Sequence, residues 1–589
     1  MTIRRRPNVV LVLTDDQGYP PLGAHGHPFI QTPHLDRFHA EAVRFEQCHS
    51  GTTCAPTRAG LMTGHYCNST GVWHTIGGRS LLRRDEWTLA DGLGEAGYRT
   101  GIFGKWHLGD EYPYRPQDRG FQVSLCHGGG GIGQGPDWWG NDYFDDTYLA
   151  NGEPKGFEGY CTDVFFGAAL DFIEAHRDQP FFCFISTNAP HSPYNVEPRY
   201  QQLYAGLTQT ENYARFLGMI SNIDDNFGAL RARLTELGLE EDTILMFASD
   251  NGQCGQAAGP ERGAFNAGMR GYKGSVYEGG HRIPWFMRWP RGSIGGGRSV
   301  PQLTAYIDLM PTVLDLCDVA TPPGRAFHGA SLAALARGET PDGSWAERVI
   351  VTDTQRVPEP IKWRLSCVMK GDWRLVNRDE LYDLATDPNQ RTDVAAEHPG
   401  VMAELREAYE AWWDLCTRQA GADIPISIGA AGREVAELRT HDLRNADGDV
   451  VWHQGQVRVG QACLGYWEVM VERAGLYEFA LRRWPAEAGH AIRAGIEGDD
   501  IAFRRDAIAQ ADWGMYTGGR PLEIDAAHLE VAGYPPQCVA VRDEAAAILP
   551  ISLEAGSTHV RAYFSGGAGL MQSPYYVYVR RLPDAASLQ

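Results

Sequence analysis

Four short apolar runs constrain this chain more than anything else in it: "NVVLVLT" (8–14), "YRTGIFG" (98–104), "FFCFIST" (181–187) and "TILMFAS" (243–249). Each is nearly continuous in apolar residues, which suits a strand covered on both faces rather than one lying against solvent. Such strands need layers on either side. Helical stretches fall between and after them, at 33–42, 86–96, 163–176, 211–238 and 306–319, the third behind Thr162 as an N-cap. Strands alternating with helices over residues 1–365 predict an α/β domain whose mostly parallel sheet is flanked by helices.

The pattern changes near residue 366. "SCVMKGDWRLVNRDELYDLATDPNQ" reads as short antiparallel strands and "HPGVMAELREAYEAWWDLC" (398–416) as a closing amphipathic helix. Residues 366–425 are therefore expected to form a small C-terminal antiparallel α+β subdomain. From 430 to 585, stretches such as "GYWEVMVERAGLYEFALRRWP" and "SPYYVYVRRL" alternate apolar and polar residues between glycine-rich turns. That alternation predicts an accessory all-β sandwich domain. A chain of 589 residues is too long for one core, which agrees with several units.

Polar residues collect where the apolar runs end. Asp15 and Asp16 follow the first, Lys105 and His107 (in "GKWHLG") the second, His191 (in "APHSP") the third, and Asp250 and Asn251 (in "SDNG") the fourth. In open α/β sheets ligands bind beyond the carboxyl ends of the strands. Any one of these groups is equally a turn signal; all four together predict one site. Asp15, Asp16, Asp250 and Asn251 offer only oxygen, which selects a hard cation, Ca²⁺ or Mg²⁺, over zinc. Arg58, Lys105, His107, His191 and Lys273 (in "RGYKGSVYEGGHRIP") supply positive charge and proton transfer. Such an inventory suits an oxyanion ester whose transferred group carries negative charge.

"GTTCAPTRAGLMTG" (51–64) places Cys54 at what reads as a helix start, with Pro56 in the first turn. A helix N-terminus attracts anions and acidifies a thiol. Cys54 is thus either a reactive group facing an anion or a small buried hydrophobe. Cys54 and Arg58 stand too close for the phosphate-cradling loop of a thiolate phosphatase, and that chemistry needs no divalent metal.

"CAPTRAGLMTG" resembles the signature of the type I, formylglycine-dependent sulfatases, arylsulfatase-like members of the alkaline phosphatase superfamily. "VVLVLTDDQG", "TPHLDRFHAEAVRFEQCHS", "GYRTGIFGKWHLG", "NAPHSP", "FASDNG" and "GYKGSVYEGGHRIPWFMRWP" resemble further blocks of that family in the same order, from residue 8 to about 416. The resemblance implies an alkaline-phosphatase-like sheet with a small C-terminal antiparallel subdomain. It implies that a maturase oxidises Cys54 to formylglycine. Thr57 stands where serine is commoner, but the maturase reads mainly the cysteine, proline and arginine. Asp15, Asp16, Asp250 and Asn251 would then hold a cation, most often calcium, together with the modified Cys54. One hydroxyl of the hydrated aldehyde would attack sulfur while Arg58 and Lys105 steady it. Lys273 and His191 would bind the sulfate, and one of them would protonate the departing alcohol. His107 would take the proton from the second hydroxyl, so that sulfate leaves by elimination. The implied activity is that of a sulfuric ester hydrolase acting on a sulfated carbohydrate or an aryl sulfate. The alternatives are a phosphate or phosphonate monoester hydrolase of the same fold, and an inactive glycan-binding protein.

Substrate choice is expected in the loops at 71–78 and 126–146. There His74 is positioned to reach a substrate hydroxyl or sulfate, and Trp138, Trp139 and Tyr143 either stack on a sugar or aryl ring or fill a satellite core. The net charge of −21 argues against nucleic acid and anionic membranes as partners. It leaves an anionic small-molecule or glycan ester, met in a locally positive pocket. Twelve scattered cysteines without a CxxC pair suit a reducing compartment. The first apolar run ends in two aspartates, too short for a leader or a membrane span, so the expectation is a cytoplasmic protein.

Overall fold

In the computed structural model, which describes residues 6–254, 264–340, 342–497 and 518–583, the four apolar runs become adjacent strands. The large sheet contains β1 Asn8–Thr14, β2 Val43–His49, β3 Arg99–Lys105, β4 Val123–His127, β5 Thr147–Ala150, β6 Glu153–Gly156, β7 Phe181–Ser186, β8 Thr243–Ser249, β9 Trp285–Arg288 and β10 Ser299–Ala305. Their order is β10-β2-β9-β8-β1-β7-β3-β4-β5-β6. The central strands β8, β1, β7, β3 and β4 run parallel, while β9 and the β5–β6 edge pair antiparallel. β1 shows the cause. All its residues are buried, Val10 and Val12 in the core on one face and Val9, Leu11 and Leu13 in the core on the other.

The helices follow the expected stretches with local corrections. The stretch at 86–96 narrows to Leu89–Glu95, because Thr88 and Asp91 close a capping box there. The helix expected from 163 begins at Cys161, so Thr162 lies inside it and Tyr160 takes the N-cap position without a side-chain cap. The stretch at 306–319 divides into a 3-10 turn, Tyr306–Asp308, and the helix Leu309–Leu316.

A small antiparallel sheet follows: β11 Val349–Asp353, β12 Ser366–Lys370, β13 Trp373–Val376 and β14 Glu380–Asp383. The helix Pro399–Cys416 packs on it. β11 precedes residue 366, so this sheet starts before the change in sequence texture; "VIVTD" reads locally like one more strand of the first unit.

The remaining strands are β15 Ile426–Ile428, β16 Val435–Arg439, β17 Trp467–Val471, β18 Gly475–Arg482, β19 Ile524–Val531, β20 Gln537–Ala540, β21 Ala547–Leu553, β22 Gly556–Gly566, β23 Met571–Gln572 and β24 Tyr576–Arg581. They form two sheets, β15-β17-β22-β19-β20 with β23 beside β22, and β16-β24-β18-β21. Trp467, Phe564, Tyr477, Phe479 and Val577, drawn from both sheets, share one core. β15 lies ahead of the boundary expected at 430, and residues 498–517 and 584–585 of the expected unit lie outside the described residues. Leu81 and Tyr114 belong to the same core, and the Tyr114 hydroxyl donates to the Pro425 carbonyl at 2.7 Å. The sandwich is therefore packed into the α/β unit rather than tethered to it. No helix among the described residues is long and apolar enough to cross a membrane.

Candidate active site

The strand ends are stitched to one another before any side chain acts. The Asp250 N–H donates to the Thr14 carbonyl and the Asp15 N–H to the Ala189 carbonyl, both at 3.1 Å. Gly104 has φ 115°, and a Cβ there would meet the Ser186 carbonyl oxygen at 2.0 Å. A glycine lets β3 pass that close to β7 and deliver Lys105 beneath the site.

The lower layer of the site is a closed set of ion pairs. Lys105 Nζ donates to Asp15 Oδ2 at 2.7 Å. Arg58 donates through Nε and Nη2 to Asp250 Oδ2 at 3.1 and 2.9 Å, and through Nη1 to the Lys105 carbonyl at 3.1 Å and Ser186 Oγ at 2.5 Å. The Asp16 N–H donates to Asp250 Oδ1 at 3.0 Å, and Asn251 Nδ2 to Asp16 Oδ1 at 2.8 Å. Lys273 Nζ donates to Asp16 Oδ2 at 2.7 Å and lies 3.4 Å from Cys54 Sγ. Asp15, Asp16, Arg58, Lys105, Asp250 and Asn251 are all buried, so an unpaired charge here would be costly. Three carboxylates against three cations keep the layer neutral.

Burial opposes ionisation of Asp16, but Lys273, His191 and Lys105 outweigh it and hold its carboxyl well below the usual range. For Asp250, burial and then the Asp15 charge push the pKa up to about 7. Asp15 Oδ1 and Asn251 Oδ1 are buried without a hydrogen-bond partner. Carboxylate oxygens of Asp15, Asp16 and Asp250 lie within 4.8 Å of one another. Unpartnered oxygens in an all-oxygen set fit a hard divalent cation such as Ca²⁺ or Mg²⁺.

Cys54 is the first residue of the helix Cys54–Thr63, every residue of which is buried. Pro56 sits in the first turn, where its missing N–H costs no helical bond. Thr57 Oγ1 donates to the Thr53 carbonyl at 2.9 Å, and Gly64 closes the far end at φ 70°. Cys54 Sγ is 3.9 Å from Asp16 Oδ1. Burial and then the Asp15 charge push the thiol up to about 12.

Above this layer lies a cavity of about 510 Å³ whose wall includes Asp16, Cys54, His74, His107, His191 and Lys273. His107, at φ 63°, donates from Nε2 to the Thr75 carbonyl at 3.0 Å, which leaves its buried Nδ1 unpartnered. Burial, then Lys105, hold this ring far below the ordinary histidine pKa, so Nδ1 keeps a free lone pair at neutral pH. His191 donates from Nδ1 to the Ser192 carbonyl at 2.6 Å, with Nε2 3.7 Å from Asp16 Oδ2; burial and then Lys273 bring it down to about 3. His74 accepts the Thr75 N–H on Nδ1 at 2.7 Å, and burial, then Arg356, bring it to about 3.

The aromatic candidates are placed elsewhere. Tyr143 is fully buried in a core of the large sheet and donates its hydroxyl to the His191 carbonyl at 3.1 Å. It supports the wall from behind. Trp138 lines a second cavity, of about 340 Å³. Trp139 packs edge-on against Trp484 at 5.4 Å with the Arg458 guanidinium 4.5 Å above its ring. Among the four loop residues expected to meet substrate, His74 alone is on the wall with Cys54.

Four wall residues escaped the sequence reading: Cys254, Arg356, Trp452 and His453. The last two arrive because residues 451–459 dock on the glycine-rich loop. The Gly135 N–H donates to the Trp452 carbonyl at 2.8 Å, the Gln454 N–H to the Gly133 carbonyl at 3.1 Å, and Gln454 Nε2 to the carbonyls of Gln134, Asp137 and Trp138 at 3.1–3.2 Å. The same loop presses on the catalytic histidine candidate, since a Cβ at Gly130 would meet the His107 ring at 2.3 Å. The available signal was "VVWHQGQV" (450–457), where His453 and Gln456 form a capping box around a short helix start.

The sulfatase family model matches residues 7–319, more than half of the chain. The chain belongs to the sulfatase family. A second model, described as N-sulphoglucosamine sulphohydrolase, C-terminal, matches residues 270–411. The sulfatases are sulfuric ester hydrolases of the alkaline phosphatase superfamily, and the large sheet with its small antiparallel companion is their fold. N-acetylgalactosamine-6-sulfatase of Canis lupus familiaris is 32% identical over 365 residues, 57% of this chain and 67% of that protein. Arylsulfatase G of Rattus norvegicus is 29% identical over 381 residues, 57% of this chain and 70% of that one. The crystal structure of Ps i-CgsB in complex with k-i-k-neocarrahexaose is similar in fold, with a TM-score of 0.63 and 24% identity over 70% of this chain and 94% of that one. The chain thus spans about two thirds of the length of the curated relatives it matches. Residues beyond 411, the whole β-sandwich among them, lie outside both family models.

Proposed function

We propose that this sulfatase hydrolyses the sulfate monoester of a saccharide in the cavity around Cys54, with Cys54 converted to formylglycine and a divalent cation, Ca²⁺ or Mg²⁺, on Asp15, Asp16, Asp250 and Asn251. One observation carries the reading. Cys54, at the start of a buried helix, faces a roomy cavity 3.4 Å from Lys273 and beside an oxygen set that holds two unpartnered buried oxygens. The saccharide class is supported by a relative named for a sulfated amino sugar.

The cation, when bound, supplies fixed positive charge where negative charge develops. Formylglycine supplies a hydroxyl nucleophile and a built-in way to expel the transferred group, splitting one difficult step into two. The chain's own residues do the rest. Lys273 carries the N–H donors nearest Sγ and meets the anionic ester. His191 presents Nε2 beside it, and the free Nδ1 of His107 accepts a proton on the cavity wall. Arg58 and Lys105 are not on that wall; they hold Asp250 and Asp15 in place from below. The reading requires a formylglycine-generating maturase as a partner.

The test compares 4-nitrophenyl sulfate, 4-nitrophenyl phosphate and a phenylphosphonate ester on fully modified protein with calcium present. The sulfate is expected to turn over fastest. Faster turnover of a phosphorus ester reverses the assignment, and failure of every sulfate ester leaves a glycan-binding role.

The sandwich is expected to be needed for that activity. A chain ending at residue 425 loses Trp452 and His453 from the cavity and exposes Leu81 and Tyr114, each worth about 1.5–3 kcal/mol when buried. It is expected to melt earlier and to lose roughly 100-fold or more in kcat/KM even on a small aryl sulfate, because the loop against His107 loses its support. Wild-type kinetics from the shortened chain would show that the sandwich is separable from the catalytic unit.

A further inference from the structure

We propose that Arg356, Trp452 and His453 form a subsite for a second anionic group, a carboxylate or another sulfate, on the saccharide whose ester lies at Cys54; this rests on the sulfatase reading above. All three residues line the same cavity as Cys54 but take no part in the ion-pair layer beneath it. A cavity of about 510 Å³ is far larger than a sulfate group and has room for the sugar that carries it.

The charges on the wall point to what that sugar brings. Lys273 is committed to Asp16, as Lys105 is to Asp15 and Arg58 to Asp250. Arg356 is different. It is exposed, and among the described residues its guanidinium makes no hydrogen bond or ion pair. Asp16 is the one acidic residue of the described wall, and Lys273 already occupies it, so nothing there neutralises Arg356. Its charge reaches inward, since it is the chief electrostatic influence on buried His74. A planar fork of N–H donors with no partner suits a carboxylate or sulfate, which it can bind in bidentate fashion.

The sandwich supplies the complementary surface. Trp452 is half-buried, edge-on to His453 with ring centroids 5.5 Å apart, and its backbone N–H is held by Gln456 Oε1 at 2.8 Å. The face of an indole suits the apolar face of a sugar ring. His453 accepts the Gly455 N–H on Nδ1 at 3.0 Å, and burial brings its pKa to about 3, so the neutral ring carries its hydrogen on Nε2. A cation from the residues after β11 and an aromatic–imidazole pair from the sandwich thus meet across the space above Cys54.

The test measures binding by calorimetry to full-length Cys54→Ala protein, so that no turnover intervenes. The ligands are a monosulfated disaccharide and the same disaccharide with a second anionic group. Arg356→Gln is expected to weaken the doubly anionic ligand roughly 10- to 100-fold and the monosulfate by less than about threefold. Trp452→Ala is expected to weaken both roughly tenfold. Arg356→Lys should retain part of the preference, separating charge from any effect on folding. In active protein the ratio of kcat/KM values for the two ligands should fall by the same factor in Arg356→Gln. Equal weakening of both ligands by Arg356→Gln, or none, overturns the subsite. If the unmutated protein cleaves no sulfate ester while the Arg356-dependent preference persists, the sulfatase reading fails and the subsite stands.

Discussion

Replacing Cys54 with serine should lower multiple-turnover hydrolysis by on the order of 10⁴-fold or more while leaving the fold in place. The side chain is 2% exposed, and its close polar contacts are Lys273 Nζ at 3.4 Å and Asp16 Oδ1 at 3.9 Å, long sulfur contacts whose loss costs the fold little. Serine is slightly smaller than cysteine, so no overpacking arises. What serine lacks is the second hydroxyl. It can accept a sulfuryl group but cannot expel it by collapse, and water must then attack a crowded anionic sulfur. The expected signature is a sulfated peptide spanning residues 51–64 after incubation with substrate, seen by mass spectrometry. In wild-type protein the same peptide should carry formylglycine at residue 54, and activity should follow its fraction when a maturase is co-expressed. Full activity from protein bearing only unmodified cysteine would sink the mechanism.

What could be read beforehand depended on whether each feature leaves a local trace. β1 is legible because a strand buried on both faces is apolar along its whole middle, here Val9 to Leu13, and the groups at its carboxyl end are simply the next residues. Asp15, Asp16, Lys105, His107, His191, Asp250 and Asn251 were found that way. Cys54, Arg58 and Lys273 lie away from those strand ends and were assigned by their motifs. Arg356, Trp452 and His453 left no such trace. Trp452 reaches the cavity through hydrogen bonds between segments some 320 residues apart, as in the Gln454–Gln134 contact, and no periodicity records that docking. Tyr143 illustrates the reverse. An aromatic in a glycine-rich loop reads as a ligand platform, yet the loop folds its ring into the core and offers the hydroxyl to the His191 carbonyl. The early start of the small sheet has a similar cause, since β11 is defined by its pairing with β12 rather than by its own composition.

Removal of one cation ligand should be nearly as damaging as loss of Cys54, provided the substitution spares the fold. Asp250→Ala does not. Asp250 takes two N–H groups of Arg58 at 2.9 and 3.1 Å and the Asp16 N–H at 3.0 Å. Its loss strands a guanidinium that is 2% exposed, at a cost of about 3–5 kcal/mol, a large share of an ordinary domain's stability. Asp15→Asn is the cleaner change. Asp15 Oδ2 accepts from Lys105 at 2.7 Å, while Oδ1 has no hydrogen-bond partner and lies 4.0 Å from Arg58 Nη2. Asparagine can keep its oxygen toward Lys105 and turn its N–H₂ into the place of the unpartnered oxygen, replacing a cation acceptor with a donor. The cost is that Lys105, 0% exposed, keeps a hydrogen bond but loses its carboxylate partner; the net charge of the layer limits it. With a dication bound, three carboxylates and three cations leave two net positive charges, whereas the empty Asp15→Asn layer carries one. Asp15→Asn is therefore expected to fold but to melt several degrees below wild type, to retain much less than one equivalent of Ca²⁺ or Mg²⁺ by elemental analysis, and to lose roughly 10³-fold in kcat. Stoichiometric metal with near-normal turnover in this variant would move the cation elsewhere. Stoichiometric zinc in active wild-type protein would contradict the argument from an all-oxygen ligand set.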